Sequence, residues 1–423
     1  MFHLYEILSI TINNLITKKM KKIITFAILA LIMATPNIFA QNVNMSCYIV
    51  LSVDKGKEIQ FDLKALADQT PVKIVNGSKE HIINVDNNEW LGLQTYVAEG
   101  NIITIYGDII GLDCNSNETG LTAIDVSNNL ELVDLMCSEN SLTSINVRAN
   151  TKLETLFCSM NQISNIDLSN NNKLAYLDCS KNKISSLDLS KNTNLEILNV
   201  ALNSLNNIDL SKNTELTFVD CSNNVSLNSI DIRNNINLLS FACNNTSITS
   251  LDVSKNNELK FLYCYDCKFT TQTLDDLYCS LSDRVGEDVD NGILQPIFSS
   301  TSSNYDIVMA TNGNNAKKKK WSIQYFDTDS DIPDTKGKYM CPTSNLDNIL
   351  DISAVIYPNP VDNILYIQAD EKIHSIKVYN MYGIEVANIN GSNQINIAHL
   401  PSGVYSVIVA GAKGSNTYRA IKR

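Results

Sequence analysis

Apolar positions in this chain recur with a long period. From about Ile103 to Asp266 one 21-residue sentence is written repeatedly; residues 172–192 read NKLAYLDCSKNKISSLDLSKN, and the next unit starts at Thr193. The first leucine of each unit falls at Leu132, Leu153, Leu174, Leu195, Leu216, Leu238 and Leu259, a step of 21 broken once by a 22-residue unit. A fixed period of this size means stacked coils.

Within a unit, 177–179 and 187–189 alternate apolar and polar residues, which predicts two short extended segments with apolar side chains inward. One coil cannot hide its own inward side chains. Stacking coils about 4.8 Å apart pairs each segment with its equivalents and builds a continuous apolar column. Two asparagine columns close the coils. One is Asn117, Asn140, Asn161, Asn182, Asn203 and Asn224; the other is Asn129, Asn150, Asn171, Asn192, Asn213, Asn235 and Asn256. Asparagine tolerates left-handed turns, and its amide satisfies buried backbone groups where a chain bends. Thr246 and Cys267 replace the first column at its end, so the coils are expected to loosen there.

The flanks divide by pattern. Residues 1–40 hold a basic start at Met20-Lys21-Lys22, an apolar run from Ile23 to Met33 and an exit at Ala40, a secretory signal peptide with an upstream extension. That run is short for a bilayer span, and no later stretch is a transmembrane candidate. Residues 41–101 alternate in short segments and predict an N-terminal β cap over the first coil; His81 and Trp90 lie here without visible partners. Residues 102–267 are the solenoid. Residues 268–326 predict a C-terminal cap: a helix at 273–281 with Thr273 and Asp276 as its capping pair, then strands at 307–312 and 321–325 around a solvated lysine run, 317–320. Residues 327–348, rich in Asp, Thr, Pro and Gly, predict a linker. Residues 349–423 return to short strands with Gly and Pro turns, a small antiparallel β-sandwich.

The unit pattern L-x-x-L-x-C-x-x-N-x-I-x-x-L-D-L-S-x-N resembles leucine-rich repeats in every coil. The fold expected is therefore mainly β: a leucine-rich-repeat solenoid with two caps, followed by the sandwich. The tail resembles the type A C-terminal sorting domain of the type 9 secretion system. The resemblance rests on Tyr357-Pro358-Asn359-Pro360, a Tyr379-Asn380 turn leading to Gly383, Leu400-Pro401-Ser402-Gly403-Val404-Tyr405 and a basic end, Lys422-Arg423. Arg419 stands where many members carry lysine. The resemblance implies export through periplasm and outer membrane, with the protein then attached to the surface or released. Coils with cysteine in a leucine position also resemble internalin-like proteins, which implies links to adhesion, biofilm formation, virulence and host contact.

Composition narrows the partners. A formal net charge of -12 argues against nucleic acid and anionic membrane surfaces. Cys114, Cys137, Cys158, Cys179, Cys221, Cys243 and Cys264 share one inward position, with Val200 in the same place once, so the site asks for a small apolar group and free thiols serve. Cys264 and Cys267 have C-x-x-C spacing without a second pair or a histidine nearby; a Cys267–Cys279 bridge is one pairing open to the cap. Beyond His3, the histidines are His81, His374 and His399, which leaves the repeats without a Ser/His/Asp or Cys/His arrangement. No cofactor or enzymatic activity is expected. The column Asp125, Asp167, Asp188, Asp209, Asp231 and Asp252, with Asn146 in line, is periodic; its readings are a structural turn element or weak calcium binding.

What remains is a surface for binding. On the first segment of each coil the outward positions set Phe157, Tyr176, Phe218, Phe261, Tyr263 and Tyr265 among Asp178, Asp220 and serines. Such mixtures occur in binding faces, and aromatics also suit exposed strands. The face is expected to hold a protein or glycan ligand on a host or bacterial surface, making the protein a non-enzymatic adhesin. The alternative is a structural component of the cell surface or biofilm matrix whose coils self-associate.

Overall fold

A computed structural model of the chain describes residues 42–87, 89–284, 290–341, 354–369, 372–380, 384–411 and 415–423. The signal peptide expected within 1–40 lies outside these described residues. The chain divides after Asn224 into two compact units.

The first unit opens with β1 (Tyr48–Val53), β2 (Glu58–Ala65), β3 (Thr70–Asn76), β4 (Lys79–Val85), β5 (Gln94–Val97), β6 (Ile102–Tyr106), β7 (Ile109–Asp113) and β8 (Leu121–Asp125). Five of these form a sheet in the order β4-β3-β6-β1-β8. Its core is period-two: Ile49, Leu51, Ile74, Ile103 and Ile105 are all buried. Because β6 and β8 belong to this sheet, residues beyond 101 also take part in covering the first coil. β2 runs antiparallel to β7, and β7 pairs in parallel with β9 (Asp134–Met136). β7 is therefore the first rung of a parallel ladder. The rungs continue through β10 (Thr155–Phe157), β11 (Tyr176–Asp178), β12 (Ile197–Asn199) and β13 (Phe218–Asp220), with Leu135, Leu156, Leu177, Leu198 and Val219 in register.

Apart from β8 in the first coil, the second extended segment of the coils is not a strand, which corrects the expectation of two sheets. Its carbonyls are taken by side chains instead. Asn171 Nδ2 donates to Val147 O at 3.0 Å and Asn150 O at 2.9 Å; Asn192 does the same to Leu168 O and Asn171 O, and Asn213 to Leu189 O and Asn192 O. The other column fastens the strand side. Asn203 Nδ2 donates to Cys179 O at 3.0 Å in the preceding coil and to Val200 O at 3.1 Å in its own, while its Oδ1 accepts Ile184 N at 2.9 Å. Asn161, Asn182 and Asn224 repeat this pattern. One amide thus replaces a missing ladder between coils.

The left-handed residue of each coil is not the asparagine but its predecessor. Glu139, Met160, Lys181, Leu202 and Asn223 have φ of 57, 53, 51, 56 and 57°. The asparagine bonds hold the turn so firmly that ordinary side chains accept a backbone region costing about 1–2 kcal/mol. The aspartate column also resolves into turns. Asp125, Asp167, Asp188 and Asp209 each accept the backbone N–H two residues on, from Ser127, Ser169, Ser190 and Ser211.

In the second unit β14 (Ser240–Ala242), β15 (Phe261–Tyr263), β16 (Gly292–Ile297) and β17 (Trp321–Tyr325) form a parallel ladder in that order. The coils do not loosen where the asparagine column ends. Thr246 Oγ1 donates to Cys243 O at 2.7 Å, and Cys267 Sγ donates to the same carbonyl at 3.2 Å, so smaller donors take over the amide's work. Helices α1 (Thr271–Ser280), α2 (Tyr305–Met309) and α3 (Asn314–Lys317) lie between the later rungs. Several expectations for this cap are corrected. α1 is capped by Thr270 with Thr273, while Asp276 accepts from Gln272 and Tyr339. The strand expected at 307–312 is not formed: α2 takes 307–309 and a turn follows. Lys319 is no solvated loop residue; its Nζ donates at 2.6 Å to both Cys279 O and Leu281 O, closing the open carbonyls at the end of α1. Cys279 bonds to Cys341, not to Cys267.

The stretch expected as a linker is fastened to the cap as far as Cys341. Lys336 N donates to Met309 O, Gly337 N to Thr311 O, and Asn312 and Asn315 donate to Tyr339 O. At Gly337 a Cβ would stand 2.3 Å from Ala310 O, so no larger residue fits without displacing this strap.

The tail forms β18 (Ala354–Tyr357), β19 (Ile364–Ala369), β20 (Ser375–Tyr379), β21 (Glu385–Asn390), β22 (Gln394–Asn396), β23 (Gly403–Ala410) and β24 (Ser415–Lys422). They make two antiparallel sheets, β18-β19-β22 and β21-β20-β23-β24, around Leu365, Ile367, Ile376, Val378, Val407 and Val409.

Two substitutions test the turn account by urea denaturation. Asn203→Ala strands two carbonyls and one N–H, and is expected to destabilise the protein by about 3 kcal/mol. Met160→Asn, at an exposed left-handed site, is expected to stabilise it by up to about 1 kcal/mol.

Candidate binding surfaces

In the first unit the outward side chains of β10 to β13 form two parallel rows. One holds Tyr176, Ile197 and Phe218, which pack on each other; Tyr176 Oη also donates to Glu196 Oε2 at 3.2 Å. The other holds Phe157, Asp178, Asn199 and Asp220 in register. Phe157, Tyr176 and Asp178 are half-buried, whereas Phe218 and Asp220 are buried, at 7% and 6% exposure. The outward rows are therefore less open than alternation implies.

The acidic row is electrostatically poised. Asp178 accepts Ser180 N and Asp220 accepts Ser222 N, each at 2.9 Å, and Asn199 between them accepts Ala201 N at 3.2 Å. Burial raises the Asp178 carboxyl above its ordinary range. Burial, with a smaller contribution from Asp178, pushes Asp220 up to about 6 against the pull of its bonds to Ser222.

In the second unit an aromatic cluster surrounds the ends of β15, β16 and β17. Phe261 stacks on Tyr263 at 6.5 Å; Tyr263 meets the edge of Phe326 at 6.3 Å; Tyr265, Phe298 and Phe326 form a triangle of 4.5–5.6 Å. Tyr263 is 5% exposed, Phe261 and Tyr265 are half-buried, and Phe298 stands 41% exposed. Burial, with the nearby charge of Asp329, raises the Tyr263 phenol to about 12. Below the rings, buried Gln295 donates to Asp329 Oδ1 at 2.8 Å. Phe298 and Phe326 follow strands outside the 21-residue period. Their only signal in the sequence is an aromatic placed directly after an apolar segment, as Tyr265 follows 261–263.

The cysteine ladder offers no nucleophile among the described residues. Cys114, Cys137, Cys158, Cys179 and Cys221 of the first unit are fully buried, as are Cys243 and Cys264 of the second. Burial raises the thiols of Cys114, Cys137, Cys158 and Cys179 far above their ordinary value.

In the tail, Tyr357 stacks on Tyr366 with centroids 5.8 Å apart. Asn359 is a stitch rather than an exposed signal: its Nδ2 donates to Arg419 O and its Oδ1 accepts Ile421 N, both at 2.8 Å. Pro358 and Pro360 flank that stitch. Gly403 opens β23 opposite Lys422, and Arg423 N donates to Val361 O at 3.0 Å. Gly383 lies outside the described residues.

Residues 355–423 match the family described as the secretion system C-terminal sorting domain. The tail thus addresses the protein for type 9 secretion and cell-surface attachment, and no helix among the described residues is long and apolar enough to cross a membrane. No curated protein matches the chain. Among solved structures, the functional domain of InlJ from Listeria monocytogenes, whose structure includes a cysteine ladder, is similar at 20% identity. That match covers 75% of this chain and 67% of that one, with a TM-score of 0.38. An internalin, InlF, from the same organism is similar at 20% identity over 53% of this chain and 62% of its own, with a TM-score of 0.41.

The Asp220 carboxyl gives a pH signature. Its folded-state value lies above the unfolded one, so its contribution is fully present below about pH 4 and is lost as pH rises through about 6. Asp220→Asn, which mimics the protonated form, is expected to be more stable than the parent at pH 7 and to flatten the fall in unfolding free energy between pH 4 and 7.

Proposed function

We propose that this secreted leucine-rich-repeat protein is a non-enzymatic adhesin that attaches its cell to a host or bacterial surface through the outward face of its strands. The observation that carries the proposal is the five-ring cluster Phe261, Tyr263, Tyr265, Phe298 and Phe326, with Phe298 projecting from rings that are otherwise packed. An aromatic anchored by its neighbours has little conformational freedom to lose on binding, and such residues dominate interface energies. Asp327, Asp329 and Ser330 supply an exposed polar rim. Phe157, Tyr176, Asp178, Phe218 and Asp220 are candidate contacts in the first unit, with Phe157, Tyr176 and Asp178 the half-buried ones among them.

The two contributions separate by exposure. Replacing Tyr263 removes packing, whereas Phe298→Ser with Tyr265→Ser trims the outer rings. Bacteria displaying the double variant are expected to lose at least tenfold in attachment to host cells or partner bacteria, with the purified protein's melting temperature within a few degrees of the parent. Undiminished attachment overturns this face as the contact. Concentration-dependent assembly of the purified protein in sedimentation, without a ligand, favours a self-associating matrix component instead.

A further inference from the structure

The rings at the ends of β15, β16 and β17 have a one-sided electrostatic setting. β17 ends in a tight reversal, in which Tyr325 N donates to Ser330 O at 2.9 Å and Asp331 returns to pair with Gln324. Residues 326–331 carry Asp327, Asp329 and Asp331, all exposed, and no cation. The reversal is fastened beside the projecting ring. Phe326 N donates to Ile297 O at 3.1 Å and Asp327 N to Phe298 O at 3.0 Å, which sets Asp327 against Phe298. Asp329 takes a left-handed φ of 51°, and buried Gln295 donates its Nε2 to the Asp329 carboxylate at 2.8 Å.

A carboxylate only accepts, so that bond fixes which end of the Gln295 amide is nitrogen. Its Oε1 is then a buried acceptor without a partner among the described residues. The hydroxyls of Thr328 and Ser330 bond each other at 2.8 Å. Ring faces, carboxylates and a spare acceptor therefore meet here, and the missing complement is a positively charged donor.

The cap does not supply that donor itself. Lys317 pairs with Asp334 at 2.7 Å, Lys319 closes α1, and Arg284 lies over the Trp321 ring and donates to Leu259 O. Lys268, just after Tyr265, acts on Asp266. Lys336 and Lys338 belong to the strap fastened along α2 and α3. Lys260, Lys318 and Lys320 precede their strands, and because the ladder is parallel they stand at the opposite ends of the rungs from Phe298 and Phe326. Along β17 that separation is about 20 Å.

We propose that the outer rings and the reversal form a receptor for an arginine side chain on a basic segment of a partner protein, with the guanidinium laid on Phe298 and its N–H groups held by Asp327 and Asp329. A guanidinium is planar, stacks on aromatic faces, and brings five donors and no acceptor. A sugar hydroxyl, by contrast, asks for donors as well as acceptors. The assignment rests on reading this cluster as the adhesive contact, and it names the chemistry of that contact.

The test measures binding of the purified protein to a nonapeptide containing three arginines and to its counterpart with citrulline, the uncharged isostere, at the same positions. The arginine peptide is expected to bind at least about tenfold tighter, and more weakly as salt is raised. Asp327→Asn with Asp329→Asn keeps shape and is expected to lower its affinity at least about fivefold. Phe298→Ser with Tyr265→Ser changes no charge and is expected to do the same, which separates a receptor from the general pull of an acidic chain. Glu258→Gln, an exposed carboxylate away from the reversal, is the control and is expected to bind within twofold of the parent. Equal affinity for the two peptides overturns the proposal, as does arginine binding that survives both double variants. If the serine pair loses cell attachment while the parent does not distinguish the peptides, the adhesive face stands and takes an uncharged ligand such as a glycan. If the parent prefers arginine through these residues but the serine pair attaches normally, the receptor stands and the adhesive reading falls.

Discussion

The coils depend on one interaction, the donation of an asparagine amide to carbonyls of two successive turns. Each coil from β9 to β15 contributes one three-residue rung, which leaves most of its backbone without a ladder partner. Buried carbonyls in that state would each cost a substantial part of a domain's stability. The columns that include Asn171 and Asn203 remove the problem at the two corners where the chain reverses. Everything else in the coil follows from having the corners fixed: rungs in register, thiols in a dry column, and a left-handed residue before each strand-side corner that need not be glycine.

The same requirement explains the departures from the repeat. Thr246 and Cys267 keep a donor aimed at Cys243 O, so the ladder continues without the amide. Beyond Asp266 the sequence loses its period, but β16 and β17 still add rungs by register, and Lys319 with the Cys279–Cys341 bridge closes the end. Capping is achieved with a charged donor, a covalent tie and a strap. A repeat-based pattern has no position for any of them.

The rung faces carry aromatics that are mostly packed, while Phe298 projects from its cluster. In the tail, Asn359 of the signature works inside the fold, tying the loop after β18 to the end of β24.

The repeat period, the inward leucines and cysteines, both asparagine columns, the sandwich and its sorting signature were legible in the sequence, because each is a local pattern with one physical solution. Periodicity states which way a side chain starts, and so it marked Phe157, Tyr176, Phe218 and Tyr263 as outward. It could not state how closely neighbours from other rungs pack beside them, and Phe218 and Tyr263 are buried for that reason. The partners of Cys279 and Lys319 were equally out of reach, since contacts spanning about 40 to 60 residues of aperiodic chain leave no trace in spacing. Local pattern set the coil; only the packing of distant segments decided which of its side chains remain available to a ligand.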